Sequence, residues 1–422
     1  MRKSDARRWM SYRPGRLGRN ALFGTAGLGL RAVIQAAYLL IVSRWLGVQG
    51  YGLFAGSVAL VILAAPLANW GSSVLLTRHI ARDRGSSRAM WATALVQTGV
   101  IGGLLVLATV SVSALLLHQR LPFVPTLLLA LSGLLLLPAA QAATSQCYAL
   151  ERGLASAIVM CLVPLGRTLA MLAVVVSGVA GTPGHAVIAH FMGSVFGLVA
   201  AVSVVAAVDG FPAWDSRLPL RAAIRRGTAY AVSNVAGTSY QEVDKILMLQ
   251  ILGAAAVGSY TVAFRVASIF VLPLSALISA TLPRLMALHG STSSNSDTFR
   301  AVLLVALGYG LLAGVAAWIV APFVPLLFGS GYGDAVHCLL LLSPWPLLFA
   351  WRQCLATDLT ASDRQRVRSV VEVAGFVLVM ALNIILLPRL GKAAAAISLL
   401  ATEVVVSMTL WALVRASTAA VR

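Results

Sequence analysis

The chain has 422 residues, of which 59% are hydrophobic and 11% are charged, and its formal net charge is +19. Apolar stretches of about 18 residues or more recur from end to end, which excludes a soluble globular protein and indicates a polytopic membrane protein. The stretches are continuously apolar rather than alternating, so the sequence predicts an all-α fold.

Twelve membrane-spanning helices are predicted, each long enough to cross about 30 Å of hydrocarbon. We number them as spans 1 to 12. In chain order they cover residues 21–43, 51–74, 90–117, 122–146, 155–180, 185–208, 228–250, 257–281, 301–327, 335–357, 368–388 and 393–414.

The basic residues predict the orientation in the membrane. If the N-terminus is cytoplasmic, 23 of the 32 Lys and Arg lie in inner segments, four lie in outer loops and five lie inside spans. Because basic residues concentrate on the cytoplasmic side, we predict that both termini lie in the cytoplasm. The same distribution explains the net charge without nucleic acid as a partner and matches the anionic lipid headgroups of that leaflet.

An internal repeat divides the chain into two halves of six spans. A shift of 206 residues aligns Gly47 with Gly253 and Gly52 with Gly258, at the outer turn after the first span of each half. Each half has an even number of spans, so the repeat is parallel, about an axis normal to the membrane. We predict an N-terminal lobe at 1–208 with a basic tail at 1–20, a basic cytoplasmic linker at 209–226 and a C-terminal lobe at 227–422.

Several motifs resemble one known family. Arg44-Trp-Leu-Gly-Val-Gln-Gly-Tyr-Gly-Leu-Phe54, Asn69-Trp-Gly-Ser72 and Arg78-His-Ile-Ala-Arg82 are similar to the opening of the polysaccharide biosynthesis family of O-antigen (Wzx-type) flippases. Asp244-Lys-Ile-Leu-Met-Leu-Gln-Ile-Leu-Gly253 and Val257-Gly-Ser-Tyr-Thr-Val-Ala-Phe-Arg265 are similar to its second-half signature. The resemblance implies membership of the multidrug/oligosaccharidyl-lipid/polysaccharide exporter superfamily, with two six-helix lobes that rock around a central cavity. Members often carry an acidic residue where Asn69 stands, so the resemblance implies no ion-coupling role there.

Charged residues inside apolar spans are the strongest candidates for function, because burying a charge in lipid is costly. A lipid-linked oligosaccharide carries a pyrophosphate, and cationic side chains in a cavity offset the cost of desolvating it. Arg31, Arg167, Lys245 and Arg265 are therefore candidate substrate-binding residues. Arg352 lies close enough to the inner interface to extend its guanidinium into the headgroups.

Ion pairing is the alternative role of these cations. Lys245 and Arg265 have Asp244 and Glu242 nearby in the sequence, and Arg31 and Arg167 have only distant carboxylates, at Glu372 and Glu403.

A polar stripe on span 7 adds further candidates for substrate binding. Asn234, Thr238, Gln241 and Lys245 recur at the spacing of one helix face. Such a stripe suits sugar hydroxyls, and it also suits ordinary contacts between membrane helices.

Four carboxylates inside spans are candidates for ion coupling, since a buried carboxylate can carry a proton or bind sodium. They are Glu372 and Glu403, which we favour, together with Glu242 and Asp244. Their alternative role is to neutralise buried basic residues.

We predict a flippase that moves a lipid-linked oligosaccharide of the polyprenyl-pyrophosphate type outward by alternating access. Its expected partners are this substrate, membrane lipids and the polysaccharide polymerase and export machinery. No loop is long enough for a catalytic domain, and the sequence has no phosphate-binding P-loop or metal-site spacing, so neither enzymatic activity nor a cofactor is predicted. An ion-coupled multidrug or metabolite antiporter of the same superfamily and a non-transporting scaffold of a polysaccharide assembly complex remain the alternatives.

Overall fold

A computed structural model of the chain describes residues 16–116, 122–214, 219–228, 241–288, 292–362 and 364–420, and in these residues every regular element is a helix. The all-α prediction is confirmed. The α-helices are α1 (Arg16–Asn69), α2 (Ser72–Arg82), α3 (Ser87–Leu116), α4 (Phe123–Leu131), α5 (Leu137–Ala149), α6 (Gly153–Val176), α7 (Pro183–Asp209), α8 (220–228), α9 (Val243–Ile251), α10 (Ala254–Leu288), α11 (Thr292–Val320), α12 (Val324–Phe328), α13 (Gly333–Leu342), α14 (Trp345–Ala361), α15 (Gln365–Leu390) and α16 (Ala393–Ala420). Short 3₁₀ turns lie at Arg84–Ser86, Ala321–Phe323 and Ser330–Tyr332, and a π-helical segment at Ser132–Leu136 joins α4 to α5.

The described helices match the predicted spans. Nine of them are long and apolar enough to cross a membrane, and the bent pair Ser330–Leu342 and Trp345–Ala361 adds a tenth as one broken span. The first of the nine holds both span 1 and span 2, so the described part of the chain accounts for eleven of the twelve. Span 7 at 228–250 lies largely outside the described residues.

α1 holds two spans because the chain bends at Gly47. This residue has φ 64° and ψ 177°, a conformation that L side chains rarely adopt, and it separates the two arms of the helix. Gly253, its equivalent in the repeat, has φ 89° and separates α9 from α10. The repeat seen in the sequence therefore extends to the backbone conformation at the first turn of each half.

The two halves meet through a symmetric pair of glycines. A Cβ atom on Gly52 would lie 1.8 Å from the carbonyl oxygen of Ala254, and one on Gly258 would lie 2.1 Å from that of Val48. Val48 and Ala254 are themselves 206 residues apart, so the contact has the two-fold symmetry of the repeat. Only glycine lets α1 and α10 approach this closely.

Two further hydrogen bonds join the halves at the same end of the molecule. The Tyr332 hydroxyl donates to the carbonyl oxygen of Ser43 over 2.9 Å, and the Arg44 guanidinium donates to that of Leu326 over 3.2 Å. In the predicted orientation this is the outer end, so the structure is closed on the outer side.

Within the first half, α6 is the central packing element and contacts both α1 and α7. Gly193 and Gly197 on α7 bring its backbone against α6, where a Cβ on Gly193 would lie 2.4 Å from the carbonyl oxygen of Gly166. In the second half α11 packs on α14 and α15 on α16. These contacts bring residues far apart in the sequence to the sites described below.

Candidate functional site

Arg167 lies at the centre of a hydroxyl cluster in the first half. Its Nε donates to Ser194 Oγ over 2.8 Å and its Nη2 donates to Ser132 Oγ over 3.0 Å. The two hydroxyls lie 2.7 Å apart, and Ser194 donates to the carbonyl oxygen of His190 over 2.6 Å. These partners orient the guanidinium, but each is uncharged, so they leave its positive charge uncompensated.

The position of Ser132 depends on the π-helical segment, and that of Ser194 on the close packing of α6 and α7. Ser132 begins the π-helical turn, a feature often found at functional positions. Ser194 follows Gly193, whose backbone touches α6 next to Arg167. Sequence analysis missed both serines, because hydroxyls are common in membrane helices and nothing in the sequence marks a π-bulge.

Aromatic residues lie beside this cluster. The Tyr38 hydroxyl is 2.7 Å from His190 Nδ1, and the Phe54 ring packs edge-on against the His190 ring with centroids 5.7 Å apart. Tyr38 and Phe54 lie on α1, on either side of its bend at Gly47. The sequence analysis named neither Tyr38 nor His190 as a site residue, because a single tyrosine and a lone histidine at a helix end carry no pattern.

Arg31 is half-buried on α1, two helical turns before Tyr38 and on the same face. α1 packs on α6 here, and the Thr168 hydroxyl, next to Arg167, lies 3.4 Å from the carbonyl oxygen of Ile34, three positions after Arg31, so the structure brings the two arginines to one region. Within the described part of the chain, Arg31 makes no hydrogen bond or ion pair, and Arg167 makes no ion pair. The alternative that they pair with Glu372 or Glu403 is therefore wrong, since those carboxylates bind other arginines.

Lys245 occupies a closed ion-pair cluster in the second half. The side chain is fully buried, and its ammonium lies 3.2 Å from Asp244 Oδ1 and 3.3 Å from Glu242 Oε2. It also donates to the carbonyl oxygen of Gln241 and lies 4.0 Å from the centre of the Phe264 ring.

The same cluster holds Arg265. Its Nη2 lies 3.1 Å from Glu242 Oε1, and the Tyr260 hydroxyl donates to Asp244 Oδ2 over 2.6 Å. Two cations balance two carboxylates here, so the pairing alternative for Lys245 and Arg265 is confirmed. Asn234 and Thr238, the other members of the predicted polar stripe, lie outside the described residues.

A second balanced cluster lies between α14, α15 and α16. Arg352 Nε is 2.7 Å from Glu403 Oε2, and its Nη1 is 3.8 Å from Glu372 Oε1. Arg368 Nε is 2.9 Å from the same Glu372 oxygen, and the Trp345 indole donates to Glu403 over 3.2 Å. Arg352 is only 3% exposed, so the prediction that it reaches the headgroups is wrong.

A cavity of about 10 Å³, the room needed by one water molecule, lies inside this cluster. Arg352, Glu372, Thr402 and Glu403 line it. Glu372 Oε2 and Thr402 Oγ1 are buried and have no hydrogen-bond partner among the described residues. The cavity could hold a water molecule or a small ion against these oxygens.

The two halves therefore differ in electrostatics. The buried charges of the second half form balanced clusters, whereas Arg31 and Arg167 have no carboxylate partner in the described residues. Unpaired cations in a low-dielectric region attract an anion, and Arg167 is oriented to bind one. The chemistry of this first-half site suits a phosphate or pyrophosphate group.

Comparison with known proteins gives consistent matches. The family model described as polysaccharide biosynthesis protein matches residues 17–289, and the MatE model matches residues 229–385. Comparison with curated proteins found no match.

Solved structures share the fold at low sequence identity. An inward-facing multidrug resistance transporter of the MATE family, of the MOP superfamily, matches with a TM-score of 0.74 at 14% identity, over 93% of this chain and 98% of its own. An outward-facing multidrug resistance MATE transporter matches with a TM-score of 0.67 at 14% identity, over 95% of this chain and 96% of its own. A MOP superfamily transporter from Pyrococcus furiosus, described as having a binding pocket of reverse polarity, matches with a TM-score of 0.64 at 14% identity, over 95% of this chain and 96% of its own.

The chain thus has the fold of MOP superfamily transporters, and the first family model covers more than half of its length. It belongs to the polysaccharide biosynthesis protein family.

Proposed function

We propose that this protein is a flippase that moves a lipid-linked oligosaccharide from the inner to the outer leaflet of a bacterial cytoplasmic membrane. The observation that carries the proposal is the pair Arg31 and Arg167, which have no carboxylate partner in the described residues and lie in one region. The pyrophosphate of the lipid carrier would lie against these guanidinium groups while its lipid tail stays in the bilayer. The family match supports the same substrate class.

Alternating access follows from the way in which the halves meet. They touch through Gly52 and Gly258 at the predicted outer end, and the fold match is higher to an inward-facing than to an outward-facing relative. In this state the first-half site receives its substrate from the cytoplasmic leaflet. Rocking about the glycine contact would then expose it to the outer leaflet.

The rival function is export of cationic drugs or metabolites, which the MatE match and the multidrug neighbours favour. A cationic substrate needs carboxylates that are free to bind it. In the second half, Glu242, Asp244, Glu372 and Glu403 are all engaged by basic side chains, so the charge distribution favours an anionic substrate.

Coupling to an ion gradient is a further part of the proposal, with Glu372 as its carrier. One oxygen of Glu372 binds Arg368 while the other is buried beside the small cavity without a hydrogen-bond partner in the described part of the chain. A proton or sodium ion taken up there would loosen the pairing between α14 and α15. Flipping measured in vesicles under an imposed proton or sodium gradient tests this part, and insensitivity to both ions would refute it.

The decisive experiment measures export of surface polysaccharide and accumulation of the lipid-linked oligosaccharide in cells. Arg31→Ala/Arg167→Ala should abolish export and trap the substrate on the inner leaflet, with normal protein abundance. Arg389→Ala is the matched control, because Arg389 is exposed and donates only to a carbonyl of its own helix. Intact export in the double variant would support the scaffold alternative, and loss of drug resistance without substrate accumulation would support the antiporter.

A further inference from the structure

A second cluster of basic residues surrounds a cavity at the predicted cytoplasmic end, away from Arg31 and Arg167. The cavity has a volume of about 400 Å³, within the range of small-molecule pockets. It is lined by Leu75, Arg78, His79 and Arg82 of α2 and by Arg226 of α8.

The sequence of α2 explains why its polar side chains converge on this cavity. Positions 75, 78, 79 and 82 follow the i, i+3, i+4, i+7 spacing of one helix face. The opposite face buries Ser72, Leu76 and Ile80 in the first half. Packing of that apolar face therefore holds two arginines and a histidine toward Arg226.

Every polar side chain of the lining is an arginine or a histidine. His79 Nδ1 lies 2.9 Å from the carbonyl oxygen of Leu75, to which it donates, and His79 Nε2 lies 3.5 Å from Arg226 Nη1. Among the residues that the structure describes, no acidic side chain lines the cavity.

Two acidic residues in the described part of the chain, Asp83 and Glu151, make contacts outside the cavity lining. Asp83, next to α2, accepts from the backbone N–H of Gly85 over 2.9 Å, and Glu151 binds Arg84 over 2.9 Å. Arg82 and Arg226 carry like charges that repel one another, and an anion that bridges them would relieve the repulsion. Phosphate oxygens match the paired N–H donors of arginine.

The cavity lies where the two halves join. α8 leads into the second half, and its C-terminal end packs on the turn before α2, where the Trp70 indole donates to Thr228 Oγ1 over 3.3 Å. Gln97 donates to the carbonyl oxygen of Trp70 over 3.0 Å. Trp70 itself has φ 38°, a strained value for a residue with a bulky side chain. In the predicted orientation this join lies at the depth of the cytoplasmic headgroups.

We propose that this cavity binds the phosphate group of an anionic lipid in the cytoplasmic leaflet, as a site separate from the first-half arginines. The ligand chemistry is a phosphate diester or pyrophosphate bridged between Arg82 and Arg226. Its occupancy would tie α2 of the first half to α8 at the start of the second. The proposal concerns binding alone and stands whether or not the protein moves a lipid-linked oligosaccharide.

The test uses purified full-length protein, stripped of lipid and incubated with phosphatidylglycerol or phosphatidylcholine, with bound lipid counted by native mass spectrometry. Phosphatidylglycerol should bind at least about tenfold more tightly than phosphatidylcholine, because the choline ammonium beside the phosphate of the latter is repelled by the two arginines. Arg82→Gln/Arg226→Gln should lose that preference.

Arg221→Gln/Arg225→Gln is the matched control, because both residues are exposed on α8, outside the cavity lining, and the pair removes the same charge. This control should keep the preference within about twofold. Equal loss in both double variants would show that the basic residues act only through overall charge. Equal binding of the two lipids by the unaltered protein would show that the site has no preference for an anionic lipid. Either result would overturn the proposal.

A third arm distinguishes the two sources of the phosphate. Inorganic pyrophosphate is added at increasing concentration to the protein loaded with phosphatidylglycerol. Displacement of the lipid from the unaltered protein shows that the phosphate chemistry alone is recognised. If the unaltered protein keeps the lipid in the presence of pyrophosphate, and Arg82→Gln/Arg226→Gln loses it, the site recognises a lipid headgroup together with its acyl chains.

Discussion

The glycine contact between the halves makes a quantitative prediction about conformation. In Gly258→Ala the new Cβ would lie 2.1 Å from the carbonyl oxygen of Val48, and in Gly52→Ala it would lie 1.8 Å from that of Ala254. Both obstacles are backbone atoms, which cannot rotate away as a side chain can. The substitution therefore acts on the contact between α1 and α10.

The size of the effect follows from these distances. Real Cβ contacts essentially never fall below 3.0 Å, so the outer ends of the helices must part by at least about 1 Å in either variant. Overpacking of this kind costs about 1–3 kcal/mol. Because the proposed rocking movement would break this contact, that cost should shift the equilibrium toward the outward-facing state by about 5- to 150-fold.

The assay is a distance measurement between spin labels at the predicted inner ends of the two halves. Tyr148→Cys on the α5 side and Arg366→Cys on α15 are exposed positions for the labels. The four native cysteines are buried, which limits background labelling. In Gly258→Ala the inner ends should draw together, and the short-distance population should grow.

Gly308→Ala on α11 and Gly103→Ala on α3 are the matched controls, since a Cβ at either position meets nothing within 4 Å. Each also replaces glycine by alanine inside a helix, so any gain in helix propensity is shared with the test variants. A Gly258→Ala protein that folds and gives the same distance distribution as the controls would refute the pivot, and with it the rocking movement assigned to this contact.

Three other substitutions test separate contacts. Arg352→Met leaves the buried Glu403 carboxylate without its cationic partner, with the Trp345 indole still donating to it, and should lower the free energy of unfolding by about 3–5 kcal/mol, measured by thermal unfolding in detergent. Partial recovery in Arg352→Met/Glu403→Gln is expected, and an unchanged melting temperature would contradict the pairing. Ser194→Ala removes a hydrogen bond that orients Arg167 and should reduce export more than protein abundance, whereas equal losses of both would indicate a packing role. Tyr332→Phe removes a bond between the halves worth about 1 kcal/mol and should shift the same spin-label distances in the direction of Gly258→Ala, but by less.

The architecture could be read from the sequence because apolar length and glycine position are local signals. The spans follow from continuous hydrophobic runs, and Gly47 and Gly253 mark the turns because few other residues adopt their conformation. The Lys245 cluster could also be predicted from the sequence, because Glu242 and Lys245 are three positions apart, a spacing that brings side chains together on one helix face.

The rest of the candidate site depends on tertiary contacts that no local sequence pattern predicts. Arg352 and Glu403 meet across 51 residues, and Ser132 and Arg167 across 35. The expectation that Arg352 reaches the headgroups assumed that a lone arginine near a helix end has no partner. Packing of α14 against α16 supplied one.

Equivalent positions in the repeat differ in what they conserve between the halves: the glycine contact is the same in both, and the charged residues inside the spans are not. Gly52 and Gly258 occupy equivalent positions and make equivalent contacts, so both halves contribute alike to closure. The charged positions inside the spans do not repeat: a shift of 206 residues places Asp244 on Tyr38 and Lys245 on Leu39.

The symmetric glycine contact would let both lobes take an equal part in the rocking movement. Binding of one anionic group, in contrast, requires positive charge on one side of the repeat axis. Arg31 and Arg167 supply that charge in the first half alone, and the second half keeps its own cations neutralised. Under the proposed function, the electrostatic difference between the halves places the positive charge that would hold a single phosphate-bearing group in one half of a scaffold built by duplication.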